Sequence, residues 1–172
     1  MANLDKTRKY LNAKGVDYKV VDLGGAVFTV DHVAGIIEKR DEIVKTLLVR
    51  IGGNTKNSLL PESGMGFAAL CLRGGDRVDF KKVRTMFGNR TEMAKPEEVL
   101  RIVGVPVGAV CPILIGVPVY IDRRVMGLKE VHIGSGDLTK GLEMNLADLL
   151  EAIRDYHVSD LTVTDLGRLH GR

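Results

Sequence analysis

The sequence predicts an α+β domain built on a mixed β-sheet flanked by helices, and three observations carry that prediction. Segments with apolar residues three and four apart are interleaved with short aliphatic runs. Several of those runs are joined by Gly-containing turns rather than by helices, which favours strands that pair as neighbours over a strict βαβ series. Between residues 104 and 118, Pro106, Pro112 and Pro118 stand with Gly104, Gly108 and Gly116, so no helix runs through that region.

Taken in order, "DKTRKYLNAK" (5–14) reads as a first helix stopped by Gly15, and "VDYKVVDL" (16–23) as a strand turned by Gly24 and Gly25. "TVDHVAGIIEKR" offers Thr29 as N-cap and sets Val30, Val33 and Ile37 at helical spacing. A strand from Ile43 to Ile51 follows and bends at "GGN". Its partner is "GFAALCLRG" (66–74), reached through a longer connection. "DFKKVRTMFG" gives an amphipathic helix capped by Asp79 and ended by Gly88. "KPEEVLRIVG" gives another, with Pro96 in its first turn and Glu97 and Glu98 near the positive end of the helix dipole. "VPVYIDRRV" reads as strand and turn, and "KEVHIGSGD" and "KGLEMNL" as strands on either side of a polar loop. "NLADLLEAIRDY" reads as a helix with Asn145 as candidate cap and Leu146, Leu149, Leu150 and Ile153 inward. The end, "HVSDLTVTDLGRLHGR", suggests a short strand and a frayed tail.

Composition narrows the function classes. With 172 residues, 45% of them hydrophobic and 27% charged, the chain can bury a core without disulfides or a structural metal. Its two cysteines, Cys71 and Cys111, form no CxxC pair, and the four histidines show neither HExxH nor HxH spacing, so no metal and no cofactor is expected. No apolar run approaches a membrane span and "MANLDKTRKY" lacks the apolar stretch of a signal peptide; the expected location is the cytoplasm. A net charge of +3 tolerates a nucleic-acid partner without requiring one. Walker, GxGxxG and GxSxG motifs are absent.

Two stretches invite a functional reading. In "DEIVKTLLVRIGG", alternation places Lys45 on one face with Ile43, Leu47 and Val49, and Thr46 on the other with Val44, Leu48 and Arg50. An ammonium among aliphatic neighbours is costly unless that face opens into a pocket; the plainer alternative is a solvent-facing lysine that protects an edge strand. In "GVPVGAVCP", the run Gly108-Ala109-Val110-Cys111-Pro112 has the form GxxxP, which can aim successive backbone N–H groups at a polar or anionic ligand or can simply link helix to strand. Gly134-Ser135-Gly136 reads as a turn at a strand end, where backbone could approach a ligand closely.

Together, "IVKTLLV", "GAVCP", "VPVYID", "HIGSG" and "GLEMNLADLL" resemble the YbaK family of aminoacyl-tRNA deacylases, which is similar to the editing insertion domain of bacterial prolyl-tRNA synthetases. The resemblance covers about residues 1–155 and leaves 156–172 as a C-terminal strand and tail. It implies a barrel-like mixed sheet with flanking helices, and hydrolysis in trans of the ester between a tRNA of the proline acceptor type and a wrongly attached alanine or cysteine. It implies a mischarged tRNA as partner, with an aminoacyl-tRNA synthetase as a second candidate, and neither a membrane nor DNA. By motif, Lys45 and Gly108 take the catalytic positions. Thr46, Ala109, Val110, Cys111 and Pro112 take substrate-binding ones, and Ser135 and Glu143 match pocket positions more loosely. Such an ester needs positioning and oxyanion stabilisation more than a protein nucleophile, which fits the missing triad. The sequence departs from the family in a longer "GDLTKGL" loop and in Cys111, where many relatives carry a small or hydroxyl residue. Both fall near the expected pocket, where selectivity between small amino acids rests on contacts worth about 1–3 kcal/mol. The competing readings are a non-catalytic RNA- or nucleotide-binding module of the same fold and a hydrolase of another small ester. For RNA contact, Lys81, Lys82, Arg84 and Arg90, or Arg123 and Arg124, are the candidate phosphate-binding groups.

Overall fold

A computed structural model describes residues 3–26, 29–37, 42–52 and 66–164, without the side chains of residues 32, 34, 36 and 37. The element order is α1 (Leu4–Lys14), β1 (Lys19–Asp22), α2 (Val30–Ile37), β2 (Val44–Ile51), β3 (Phe67–Arg73), α3 (Phe80–Phe87), β4 (Thr91–Met93), α4 (Pro96–Val103), β5 (Val119–Asp122), a 3-10 turn (Arg123–Gly127), β6 (Glu130–Gly134), β7 (Lys140–Asn145), α5 (Leu146–Ile153) and β8 (Tyr156–Ser159). The expected connection between β2 and β3 and the expected tail fall at 53–65 and 165–172, outside the described residues.

Local chemistry sets the helix ends. The Asn3 side chain accepts the Lys6 N–H at 2.9 Å to start α1, and Gly15, at φ 67°, ends it by donating its N–H to the carbonyls of Leu11 and Asn12. Asp79 caps α3 through the N–H groups of Lys81 and Lys82, and Gly88 closes it in the left-handed region. The Glu98 carboxylate reaches back to the Lys95 N–H at 2.8 Å at the start of α4. Asn145 occupies the N-cap position of α5 but makes no side-chain cap bond. That helix buries Leu146, Leu149 and Ala152, with Leu150 and Ile153 only partly covered.

Among the described residues the strands form two sheets, β1-β7-β6 and β4-β2-β3-β5-β8. The first is antiparallel; the second pairs β2 antiparallel with β3 along its length, and β3 with β5 and β5 with β8 in parallel. The α+β class and the mixed pairing are as the sequence predicts, but the barrel-like closure is not. Each sheet keeps two edges, and among the described residues the two are joined by backbone pairing only at an isolated parallel bridge between Ile43 and His132, while their side chains pack together. β8 extends the larger sheet, and beyond it Leu161 is fully buried with its N–H on the Asp122 carboxylate at 2.8 Å. Strand β4, only three residues long, has no counterpart in the sequence reading.

The larger sheet separates two apolar clusters. Val44, Leu48, Ala69 and Cys71 face the larger one, together with Val131, Ile133, Leu142 and Met144 of the small sheet. Val49, Ala68, Leu70 and Leu72 face a smaller one under α3, closed by Val83 and Leu161. Each fully buried Leu or Val contributes about 1.5–3 kcal/mol relative to exposure, so this two-sided burial holds β2 and β3 rigid between the layers.

Candidate active site at the seam of the two sheets

Strand β4 pairs with β2 only from Val49 to Ile51, so among the described residues no strand is laddered to the edge of β2 from Val44 to Leu48. A cavity of about 280 Å³ occupies that gap, and six consecutive residues, Ile43 to Leu48, border it. The Ala94 N–H donates to the Leu48 carbonyl at 3.0 Å, which shows that the peptide groups of Leu48 point to this edge. The two-residue period of a strand turns the N–H and C=O of Thr46 the same way. Val30 and Val33 of α2 cover the cavity, Gly108 and Val110 bound it opposite β2, and Met93 and Val107, both more than two-fifths exposed, stand at its rim.

Lys45 lies on the face predicted, with Leu47 and Val49, but that face packs toward α3. Its ammonium donates to the carbonyls of Asp76 at 2.6 Å and Gly74 at 3.3 Å, in the turn that follows β3. The Asp76 carboxylate in that turn takes Arg73 at 2.8 Å and Arg124 at 3.2 Å. Burial works to raise the Asp76 carboxyl, yet the Arg73 bond and the charges of Arg73 and Arg124 together hold it below the usual carboxylate value. Lys45 thus borders the cavity while two backbone carbonyls hold its ammonium in place. Thr46 points to the opposite face of the sheet, its hydroxyl 3.7 Å from the Cys71 sulfur. Burial pushes the Cys71 and Cys111 thiols up to about 12, so both serve as apolar filler.

The GxxxP loop contributes Gly108, at φ 93°, and Val110 to the cavity. Ala109 and Cys111 are 1% exposed and Pro112 is buried; all three pack behind the wall. The loop is pinned to the turn after β6 by the Gly136 N–H on the Ala109 carbonyl at 2.7 Å, and its approach demands glycine at 134, the last residue of β6, where a Cβ would lie 2.3 Å from the Val110 carbonyl oxygen. Ser135, fully buried, donates to the Lys140 carbonyl at 2.6 Å and accepts the Asp137 N–H, so it shapes the turn rather than facing the cavity. Asp137 and Lys140 do line the cavity. The backbone and hydroxyl of Thr139, both at 2.7 Å, hold the Asp137 carboxyl below its ordinary value.

Glu143 does not border this cavity but a second hollow of about 340 Å³, with Asp17, Tyr18, Glu42 and Glu130. His132, 4% exposed, lines the first cavity and pairs in register with Glu143; the sequence alone offers it only as a candidate metal ligand. Its alternation with Val131 and Ile133, which both enter the core, is the signal that sets it on the other face of β6. Among the described residues no group of three or more His, Cys, Asp or Glu side chains is placed to hold a metal ion. The candidate phosphate contacts are largely engaged within the fold. Lys82 binds Asp160 and the Thr162 carbonyl, Arg84 the Thr91 carbonyl, Arg90 the Glu92 carboxylate, and Arg124 the Asp76 carboxylate.

The model of the aminoacyl-tRNA editing domain matches residues 26–152, most of the chain and all of the strands except β1 and β8. The chain belongs to that family. Among curated proteins, this editing domain is 28% identical over 100 residues to the proline–tRNA ligase of Caldicellulosiruptor saccharolyticus and 35% identical over 78 residues to that of Thermotoga maritima. Those matches cover 58% and 45% of the chain but only 15% and 14% of the ligases, so the chain spans a small part of the relatives' length. An uncharacterized Bacillus subtilis protein, YwhH, is 26% identical over 113 residues, 64% of this chain and 72% of its own. The solved structure of a hypothetical protein, APE2540, superposes with a TM-score of 0.77 at 25% identity over 92% of this chain and 99% of its own. A candidate trans-editing enzyme for prolyl-tRNA synthetase gives 0.75 at 24% identity over 94% of this chain and 97% of its own, a likeness that speaks for the fold. Among the described residues no helix is long and apolar enough to cross a membrane.

Proposed function

We propose that this editing domain is a trans-acting deacylase that hydrolyses the ester of a mischarged tRNA, the amino acid being small, alanine or cysteine, on a proline-type acceptor. The observation that carries the proposal is the cavity at the β2 edge. Its volume of about 280 Å³ suits a small aminoacyl group at the tRNA 3′ end, and its wall is largely aliphatic with few polar groups. Water adds to the ester carbonyl, the carbon–oxygen bond to the ribose breaks, and the products are the free amino acid and tRNA with its hydroxyl restored. The outward N–H of Thr46 supplies a preorganised donor for the developing oxyanion, with the loop backbone at Gly108 opposite. Lys45, anchored by the carbonyls of Gly74 and Asp76, adds positive potential where negative charge grows. The Asp137 carboxylate, kept ionised by Thr139, is the acceptor of suitable charge for the α-ammonium of the substrate. Neither membrane nor DNA enters this reading, and a synthetase enters only as a carrier of substrate.

The test is deacylation of alanyl- and cysteinyl-tRNA of the proline acceptor, with correctly charged prolyl-tRNA as control, by wild type and Lys45→Ala. The reading expects hydrolysis of one mischarged species, sparing of prolyl-tRNA, and loss of about 10²-fold or more in the variant. Binding of tRNA without hydrolysis of any member would replace it by an RNA-binding module. Equal cleavage of free aminoacyl esters would replace it by a small-ester hydrolase.

A further inference from the structure

His132 lines the first cavity, and its register partner Glu143 lines the second hollow. The imidazole Nε2 is the ring atom set over Gly141, a residue of the cavity wall. A Cβ on Gly141 would lie 2.3 Å from that nitrogen, so only glycine leaves the imidazole its place. The other nitrogen, Nδ1, is turned toward Glu143, its register partner across the β6–β7 ladder, with 3.7 Å between Nδ1 and the carboxylate. That separation is too long for a hydrogen bond, and Nδ1 is buried with no partner. An unmet buried nitrogen costs about 1–3 kcal/mol, and the Glu143 side chain, 40% exposed, has the freedom to close on it. Catalytic hydrogen bonds are often long before substrate arrives and shorten in the complex.

We propose that His132 and Glu143 form a base pair of side chains for the hydrolysis proposed above, on which this inference rests. Glu143 accepts a hydrogen bond from Nδ1–H and so fixes the neutral tautomer in which the Nε2 lone pair is presented to the cavity. Nε2 takes one proton from the attacking water as the water oxygen bonds to the ester carbonyl carbon, and the imidazolium returns that proton to the departing ribose oxygen. Protons and electron pairs balance with no further reactant. Burial keeps the imidazole below the ordinary histidine range, against the opposing pull of Glu143, so the neutral base prevails at pH 7. The charged groups around it are Glu143 on β7 with Lys19 opposite on β1, Asp17, Glu42 and Glu130 about the second hollow, and Lys45, Asp137 and Lys140 along the cavity.

The experiment is single-turnover deacylation across pH 5–8 with saturating mischarged tRNA, after subtraction of spontaneous hydrolysis, for wild type, His132→Gln and Glu143→Gln. Binding of a non-hydrolysable 3′-amide analogue is measured alongside. The expected wild-type rate falls on the acid side with an apparent pKa below about 6.5. His132→Gln loses about 10²–10⁴-fold in rate and loses that acid limb while binding the analogue within about threefold of wild type. Glu143→Gln, a change at a partly exposed position, lowers the rate and moves the limb to lower pH, because the charge that favours the imidazolium is gone. Overturning results are a His132→Gln enzyme within about threefold of wild type, or a Glu143→Gln enzyme with unchanged rate and limb. If wild type itself fails to deacylate any substrate, the functional reading fails first, and that outcome is distinct from either variant result.

Discussion

Gly134→Ala puts the joint between β6 and the GxxxP loop under direct strain. The added Cβ would sit 2.3 Å from the Val110 carbonyl oxygen and 3.0 Å from its carbon. An ordinary carbon–oxygen contact is about 3.3 Å, so strand and loop must part by about 1 Å. Neither neighbour is a side chain that can swing aside. The Gly136 N–H to Ala109 carbonyl bond, 2.7 Å long, lies two residues away and lengthens with the same motion. Overpacking of this kind costs about 1–3 kcal/mol, which for a domain of this size lowers the melting temperature by about 2–12 °C. A displacement of about 1 Å at a positioning loop costs about 10²-fold in rate. Thermal melting and single-turnover deacylation, measured below the melting transition of the variant, separate the two effects. A variant that melts with wild type and deacylates at the wild-type rate would refute the claim that glycine at 134 sets the loop against the cavity.

Other consequences concern stability and reactivity. Asp76→Asn removes a carboxylate held by Arg73 and Arg124, which are 34% and 26% exposed, so the loss at pH 7 is roughly 1–3 kcal/mol, below that of a fully buried pair. Because the folded pKa of Asp76 is depressed below 3.8, its contribution is present above that value and fades as pH falls through the folded pKa. Urea titrations of wild type and variant should therefore converge below pH 3.8, and a gap that stays constant to acid would exclude the ion pair as its source. Cys71 and Cys111, buried with thiols near 12, should resist an aromatic disulfide reagent at pH 8 in the native protein and react at once in denaturant. Rapid native labelling would show that the core around them opens.

The helices were legible wherever a cap and a stop bracket an apolar stripe, as Asp79 and Gly88 bracket α3. The β2–β3 pairing was legible because both runs are long and aliphatic. Strand β4 was not, since three residues carry no period and its existence depends on the β2 edge beside it. Alternation placed Lys45 correctly with Leu47 and Val49, but it could not say which face meets the cavity. The answer is neither face alone, because the cavity touches the strand along its edge and so meets Val44 to Leu48 in succession. The pairing of His132 with Glu143 needed the hairpin register. His132 lies two residues before Gly134 and Glu143 two after Gly141, and Gly134 faces Gly141 in the ladder. With the turn centred on "GDLTK", that register could have been written from the sequence, and the histidine and the carboxylate would then have emerged together.

The site's location follows from the way the sheets fail to close. A closed barrel would pair every peptide group of β2 and leave no backbone donor for a ligand. Here β4 pairing stops at Val49, and among the described residues the small sheet joins this edge by backbone pairing only at the isolated Ile43–His132 bridge just before β2, so the peptide groups at Thr46 face a gap rather than a laddered strand. Buried N–H and C=O groups without partners are expensive, and a ligand that supplies an acceptor there recovers that cost on binding. The rigid layers on both faces of β2 keep the edge from relaxing into another pairing. An ester carbonyl is an acceptor of suitable size, and its oxygen gains negative charge as water adds, so the same N–H binds the transition state more tightly than the substrate. In the proposed reaction β2 therefore contributes twice, through the backbone N–H at Thr46 that orients the carbonyl and through the Lys45 side chain, while Asp137 and His132 act from other parts of the cavity wall.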